Sequence, residues 1–169
     1  GGPANVRLTA EVADGWLPLG YTPGSAHLYA DDLALGLERG GRTMADLEVQ
    51  VGVTVRLTDD VAAVFDAARP GVAMRVGGYG PSLHNFHRDA MSRRGFGEAA
   101  DRITELFAAG LRDEAAAAVP DDYLDDGALV GSRQRIAGRF EQWRSTLPTG
   151  LTVRPTRAAA VSSSHLTRP

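Results

Sequence analysis

Six apolar side chains alternate without a break in the middle of this chain: Leu47, Val49, Val51, Val53, Val55 and Leu57. Successive side chains of an extended backbone point to opposite faces, so the run specifies one long strand with an apolar face. Its other face carries Glu48, Gln50, Gly52, Thr54 and Arg56. Thr58-Asp59-Asp60 follows as a helix N-cap signal. The helix it opens has Val61, Val64, Phe65 and Ala68 at i, i+3, i+4 and i+7, and Pro70 is expected to end or kink it.

The same alternation of elements extends upstream. Val6, Ala10 and Ala13 share one face of a helix over 4–13, with Leu8 and Val12 beside it. Asp14 to Leu19 reads as a turn leading into a short buried strand, and Thr22-Pro23-Gly24 as a loop. A helix over 26–38 carries Leu28, Leu33, Leu35 and Leu37 and is closed by Gly40-Gly41. Helix, strand, helix, strand and helix in succession argue for parallel α/β structure with right-handed crossovers.

Downstream the pattern changes. Gly77-Gly78-Tyr79-Gly80-Pro81 is expected to be a loop, followed by helices over 82–94, 98–111 and 113–119. Pro120-Asp121-Asp122 places proline and acids where a helix N-terminus favours them. Together these form a helical insertion of about 50 residues, at about 77–128, long enough to suggest a functional role. Ser132 then N-caps a helix bearing Ile136, Phe140 and Trp143, and Leu151-Thr152-Val153 is a last short strand. The strands expected are Asp14–Leu19, Leu47–Leu57 and Leu151–Val153. Residues 1–153 are read as one domain unit, and 154–169 as a disordered tail.

Composition narrows the chemistry. The 169 residues include no cysteine, which removes disulfides, a thiolate nucleophile and sulfur-based zinc sites. All 18 basic residues are arginine, so neither a Schiff-base lysine nor a P-loop lysine is available. A net charge of −3 argues against nucleic acid or an anionic membrane as the main partner. No apolar run reaches the roughly 18 residues that span a bilayer. A cytoplasmic protein acting on a small molecule is the expectation. The opening Gly1-Gly2-Pro3, without an initiator Met, suggests a piece of a longer chain.

Three segments carry a family resemblance. The first runs from Gly1-Gly2-Pro3-Ala4-Asn5-Val6 through Ala10-Glu11-Val12-Ala13-Asp14-Gly15-Trp16-Leu17-Pro18. The second is Gly77-Gly78-Tyr79-Gly80, then Asn85-Phe86 and Gly95-Phe96. The third runs from Gly110 through Arg112-Asp113-Glu114 and the alanine run to Val119-Pro120-Asp121, ending at Leu129-Val130-Gly131. In this order they resemble the C-terminal half of luciferase-like monooxygenase-family proteins, and most closely the coenzyme F-420 (F420) dependent oxidoreductases among them. The resemblance covers about residues 1–145. It implies a partial (β/α)8 barrel with a helical insertion; complete barrels take about 250 residues and place their sites at the C-terminal ends of the strands. It also implies hydride transfer between the deazaflavin and a small organic substrate in the intact parent, with this piece inactive alone. An FMN-dependent monooxygenase is the alternative within the family. Outside it, the alternative is a non-enzymatic α/β fragment that associates, as a homodimer for example, through open sheet edges.

The resemblance assigns Gly1, Gly2 and Pro3 to a turn whose backbone N–H groups meet the cofactor phosphate, as helix N-termini can; the plain alternative is an ordinary βα turn. Arg56, at the end of the polar strand face, is a candidate for an anionic cofactor tail, or else a solvated edge residue. Asn85 and His87 are candidates for lining the substrate mouth. His84-x-x-His87-x-Asp89 has metal-like spacing, but no third ligand is evident and no metal is expected. The catalytic residues are not identifiable and are expected in the missing half. Of the pairs Asp31-Asp32, Asp59-Asp60, Asp121-Asp122 and Asp125-Asp126, three lie close to expected helix starts, so capping and dipole effects explain them better than carboxylate catalysis, and Ser162-Ser163-Ser164-His165 is read as no catalytic arrangement.

Overall fold

The computed structural model describes residues 2–79 and 85–155. The long alternating run forms a strand over Glu48–Leu57, β2. It is preceded by helix α1 (Pro3–Val12), strand β1 (Gly15–Trp16) and helix α2 (Ala30–Gly40). A 3-10 turn over Pro23–Leu28 leads into α2. Gly41 ends α2 in the left-handed region at φ 63, a conformation that glycine adopts without strain. After β2 come helices α3 (Val61–Gly78), α4 (Phe86–Met91), α5 (Gly97–Ala108), α6 (Arg112–Ala117) and α7 (Asp121–Asp126). Strand β3 (Ala128–Gly131), helix α8 (Arg133–Arg144) and strand β4 (Gly150–Pro155) complete the described chain.

All strand pairings are parallel and all involve β2. Glu48 N–H donates to the Asp14 carbonyl, while the Val49 carbonyl accepts from Thr149 N–H. Neighbouring residues of a strand direct their backbone groups to opposite edges, so β1 and β4 flank β2. Thr54 and Val55 pair with both β3 and β4, which puts β3 on β1's side. One edge of β2 is therefore shared end to end by β1 and β3, and β4 takes the other. This is the parallel α/β arrangement that the alternating elements imply.

The apolar face of β2 is the centre of the main core. Val49, Val51 and Val53 are buried against Val6 and Ala10 of α1, Leu33 and Leu37 of α2, and Trp143 of α8. Burying each such valine contributes about 1.5–3 kcal/mol. The opposite face stays open, with Glu48, Gly52, Thr54 and Arg56 exposed. A second core joins Val72, Ala73 and Val76 of α3 to Met91, Ile103, Leu106 and Val119.

Several sequence expectations need correction. Strand β3 was not among the three strands expected. Its four residues are all buried, so no alternation betrays it. β1 is two residues long instead of extending over Asp14–Leu19. Pro18 has no N–H to donate, and Leu17 and Leu19 are 78% and 63% exposed. Pro70 does not end α3, which continues to Gly78. An interior proline costs about 3 kcal/mol. Here Phe65 anchors one side of it on Ala128 and Val130, and Val72, Ala73 and Val76 anchor the other side in the second core. Gly77 and Gly78 belong to that helix and not to a loop. A Cβ on Gly77 would lie 2.7 Å from Phe107 Cγ, and one on Gly78 2.6 Å from Phe107 Cε1, so the pair admits α5 close to α3. The helix expected over 82–94 is seen as α4 from Phe86, followed by a π-turn over Ser92–Phe96 in which Gly95 has φ 91. Residues 80–84, with His84, and the expected tail beyond 155 lie outside the described residues.

Candidate functional site

Because the strands are parallel, their C-terminal ends share one rim of the sheet. α1 enters β1 through the short turn Ala13-Asp14, so its N-terminus lies at that same rim. Gly2 caps α1 in extended conformation, with Pro3 at the first helical position. The Gly2 carbonyl accepts from Asn5 and Val6 N–H at 3.0 and 3.1 Å. Pro3 has no N–H, which leaves the amides of Gly2 and Ala4 as those the helix itself does not engage. A Cβ at Gly2 would meet no described residue within 4 Å. The fold alone does not demand glycine there, and the open space fits close approach by an anion. Gly1 lies outside the described residues. Arg56 stands near the end of β2 on its exposed polar face, on the same rim.

Asn85 is 6% exposed and its amide group is fully engaged. Its oxygen accepts from His87 and Arg88 N–H at 2.9 and 3.1 Å, capping α4. Its nitrogen donates to the carbonyls of Arg75 and Val76 at 3.2 and 2.6 Å. Asn85 thus ties the start of α4 to the end of α3. His87 sits edge-on to Tyr79 and Phe86, with ring centres 5.7 and 5.8 Å away. Partial burial lowers its pKa, and the Arg75 charge lowers it further.

Over the middle of β2, a cavity of about 250 Å³ opens between the strand's polar face and the helices that follow it. Thr22, Gly52, Thr54, Arg75, Arg94 and Tyr123 line it. The Arg94 side chain is only 8% exposed. Its Nη2 donates to Asp126 Oδ2 at 3.0 Å and to the Tyr123 carbonyl at 3.3 Å. Its guanidinium lies 4.2 Å from the centre of the Tyr123 ring. Asp126 is held from the other side by Gly24 N–H at 3.2 Å. Tyr29 has its pKa raised by burial, partly offset by Arg93 and Arg94. A larger cavity of about 480 Å³ lies between α8 and β4, but its walls are mostly apolar, the side-chain exceptions being Arg144, Thr149 and the indole of Trp143.

The sequence candidates divide between two places. Gly2, Pro3 and Arg56 share the strand-end rim. Asn85 and His87 sit at the α3–α4 junction, one turn or so from Arg75. Sequence reasoning missed Thr22, Arg75, Arg94 and Tyr123. The acidic pairs serve structure: Asp60 caps α3 through Ala63 N–H at 2.9 Å, Asp125 pairs with Arg135 and Arg139, each at 2.8 Å, and Asp121 pairs with Arg69. Among the described residues, no three metal-capable side chains cluster, and no helix is long and apolar enough to cross a membrane.

This geometry is that of a parallel α/β domain with a polar strand-end rim and covering helices. The family model for luciferase-like monooxygenases matches residues 1–150, and the chain belongs to that family. A Mycobacterium tuberculosis protein named as a coenzyme F420-dependent oxidoreductase is 38% identical over 154 residues, covering 90% of this chain and 44% of the relative. The coenzyme F420-dependent tetrahydromethanopterin reductase of Methanopyrus kandleri superposes with a TM-score of 0.68 at 21% identity, over 90% of this chain and 42% of that one. An F420-dependent secondary alcohol dehydrogenase, solved with an F420–acetone adduct, gives a TM-score of 0.52 at 13% identity over 90% and 40%. The chain therefore spans less than half the length of the relatives it matches.

Proposed function

We propose that this chain is part of a coenzyme F420-dependent oxidoreductase that transfers hydride between the deazaflavin and a small organic substrate. The observation that carries this reading is the 38% identity, over 90% of the chain, to a protein named for F420 dependence. The names of both solved neighbours also specify F420, which favours it over FMN. The bound deazaflavin supplies the hydride chemistry. The chain's own residues bind and orient. The amides of Gly2 and Ala4 offer donors to a phosphate, Arg56 balances anionic charge on the same rim, and α3–α7 cover the site against water. Asn85 and His87 position the α3–α4 junction beside the substrate mouth.

The reading includes a partial barrel in a cytoplasmic enzyme. The polar face of β2 is open, and the outer edges of β1 and β4 have no strand partner among the described residues. Further strands of the parent protein would pair with those edges and turn the polar face inward. Leu17 and Leu19, exposed at the end of β1, would be covered at the same time. The test is reconstitution: mix the chain with the remainder of the parent protein, add reduced F420, and follow the deazaflavin absorbance with small carbonyl substrates. Oxidation that requires both parts supports the proposal. A folded, associated complex that leaves the absorbance unchanged with every substrate, and does not bind F420, contradicts it.

A further inference from the structure

One carboxylate joins two walls of the cavity over β2. Gly20, Tyr21 and Thr22, from the segment between β1 and α2, form one wall. Arg94 and Tyr123, from the helices that follow β2, form another. Asp126 bridges them: Oδ1 accepts from Gly24 N–H at 3.2 Å, and Oδ2 accepts from Arg94 Nη2 at 3.0 Å. Its partners lie 102 and 32 positions away in the chain, so no local turn brings the three together. Among the described residues, no other hydrogen bond or ion pair joins the segment between β1 and α2 to residues 61–126. Both ends of the bridge suit it. Gly24 has no positive φ, so its backbone does not require glycine. What excludes a side chain there is the carboxylate itself, whose two oxygens lie 3.0 Å from where a Cβ would stand. At the other end Arg94 is held independently of Asp126. Its Nη2 also donates to the Tyr123 carbonyl at 3.3 Å, and its guanidinium lies 4.2 Å from the centre of the Tyr123 ring. The Arg94 and Asp126 side chains are 8% and 27% exposed, so water screens the pair little.

We propose that Asp126 is a positioning residue that sets the width of the substrate space over β2 and so selects substrates by size. It takes its own place from Arg94 and passes it to the Gly24 segment through a charge-assisted hydrogen bond. That segment moves as a unit, because Ser25 Oγ accepts from Thr22 N–H and donates to the Thr22 carbonyl, each at 2.9 Å. With the bridge cut, the wall formed by Gly20, Tyr21 and Thr22 is free to part from Arg94 and Tyr123, while β2 itself is unchanged. The space then admits larger molecules and orients small ones less well. The size selection deepens the oxidoreductase reading and rests on it; the bridge does not.

The test uses two variants. Asp126→Ala removes the bridge. Gly24→Ala drives a Cβ against the carboxylate and changes no charged group, so it carries the test if Asp126→Ala does not fold. Hydrogen exchange on the full 169-residue chain reads the bridge. The protection factor of amide 24 should fall about tenfold in either variant, measured against the amides of β2. Protection that stays at the wild-type value in a folded variant overturns the bridge, whatever the chain's activity. The chain reconstituted with the remainder of the parent protein and reduced F420 reads the width, with acetone and cyclohexanone as probes. In both variants the ratio of kcat/KM for cyclohexanone to that for acetone should rise about tenfold, carried mainly by KM. A merely structural role lowers both substrates alike, so an unchanged ratio overturns the positioning role. A wild-type complex that neither binds F420 nor turns over either ketone refutes the oxidoreductase reading, and size selection with it, while amide exchange still decides the bridge.

Discussion

Replacing Gly36 with alanine should destabilise the protein, although alanine is the better helix former. Gly36 lies inside α2 where α1 crosses it. A Cβ there would sit 2.7 Å from the Ala10 Cβ and closer still to the Arg7 carbonyl oxygen. Carbon atoms pack at about 3.5–4.0 Å, so the two helices would have to part by about 1 Å. The obstructing oxygen is backbone and cannot rotate away, which puts the overpacking cost at about 2–3 kcal/mol. Helix propensity returns about 1 kcal/mol. The net loss is about 1–2 kcal/mol, or a fall in Tm of about 2–8 °C for a chain of this size. Gly138 is the control. It lies inside α8, and a Cβ there would meet nothing within 4 Å. Gly138→Ala should therefore stabilise by about 0.5–1 kcal/mol. Urea unfolding followed by tryptophan fluorescence measures both. If Gly36→Ala is as stabilising as Gly138→Ala, the close α1–α2 contact is wrong.

Other outcomes follow from the same structure. Asn85→Ala should cost about 2–3 kcal/mol, through the lost cap and two α3 carbonyls, one buried and one partly buried, left without this donor; if Asn85→Asp, which keeps only the capping oxygen, unfolds at the wild-type urea midpoint, the tie to α3 contributes nothing. His87 has a folded-state pKa below its ordinary 6.5. The folded state then binds fewer protons, so His87's influence is absent above about pH 6.5 and destabilises progressively as pH falls below it. Guanidinium unfolding at a series of pH values should show the wild type losing more stability than His87→Gln on acidification; parallel profiles would contradict the burial of this ring. Asp125→Ala releases both Arg135 and Arg139 and should cost about 1–2 kcal/mol by thermal melting, against no measurable change if those pairs are idle.

How much of this the sequence reveals depends on whether a feature is local. β2 is legible because six apolar residues at period two admit one reading. α1, α2 and the Gly41 stop follow from helical spacing and turn chemistry in the same way. Gly77-Gly78 misleads because the same residue type serves turns and close helix packing, and only the position of Phe107 decides between them. β3 is too short and too buried to show a period. The rim is half legible: the glycine–proline turn and Arg56 stand out, but that they share one end of the sheet comes from strand direction. The cavity is illegible, since Thr22, Arg75, Arg94 and Tyr123 come from four separate segments. Arg94 alone sits in a marked place, just before the positive-φ Gly95, and nothing local says that Asp126 is its partner.

The central claim is that the strand-end rim of this chain belongs to an F420 site. The most direct measurement is a titration of the purified chain with F420 and, in parallel, with FMN, following backbone amide resonances and confirming a compact species by size-exclusion chromatography. The account predicts saturable F420 binding, with shifts at Gly2, Ala4 and Arg56 and weaker effects from FMN. A compact, folded chain that shows no shift at these residues with F420, or that binds FMN more tightly, would contradict it.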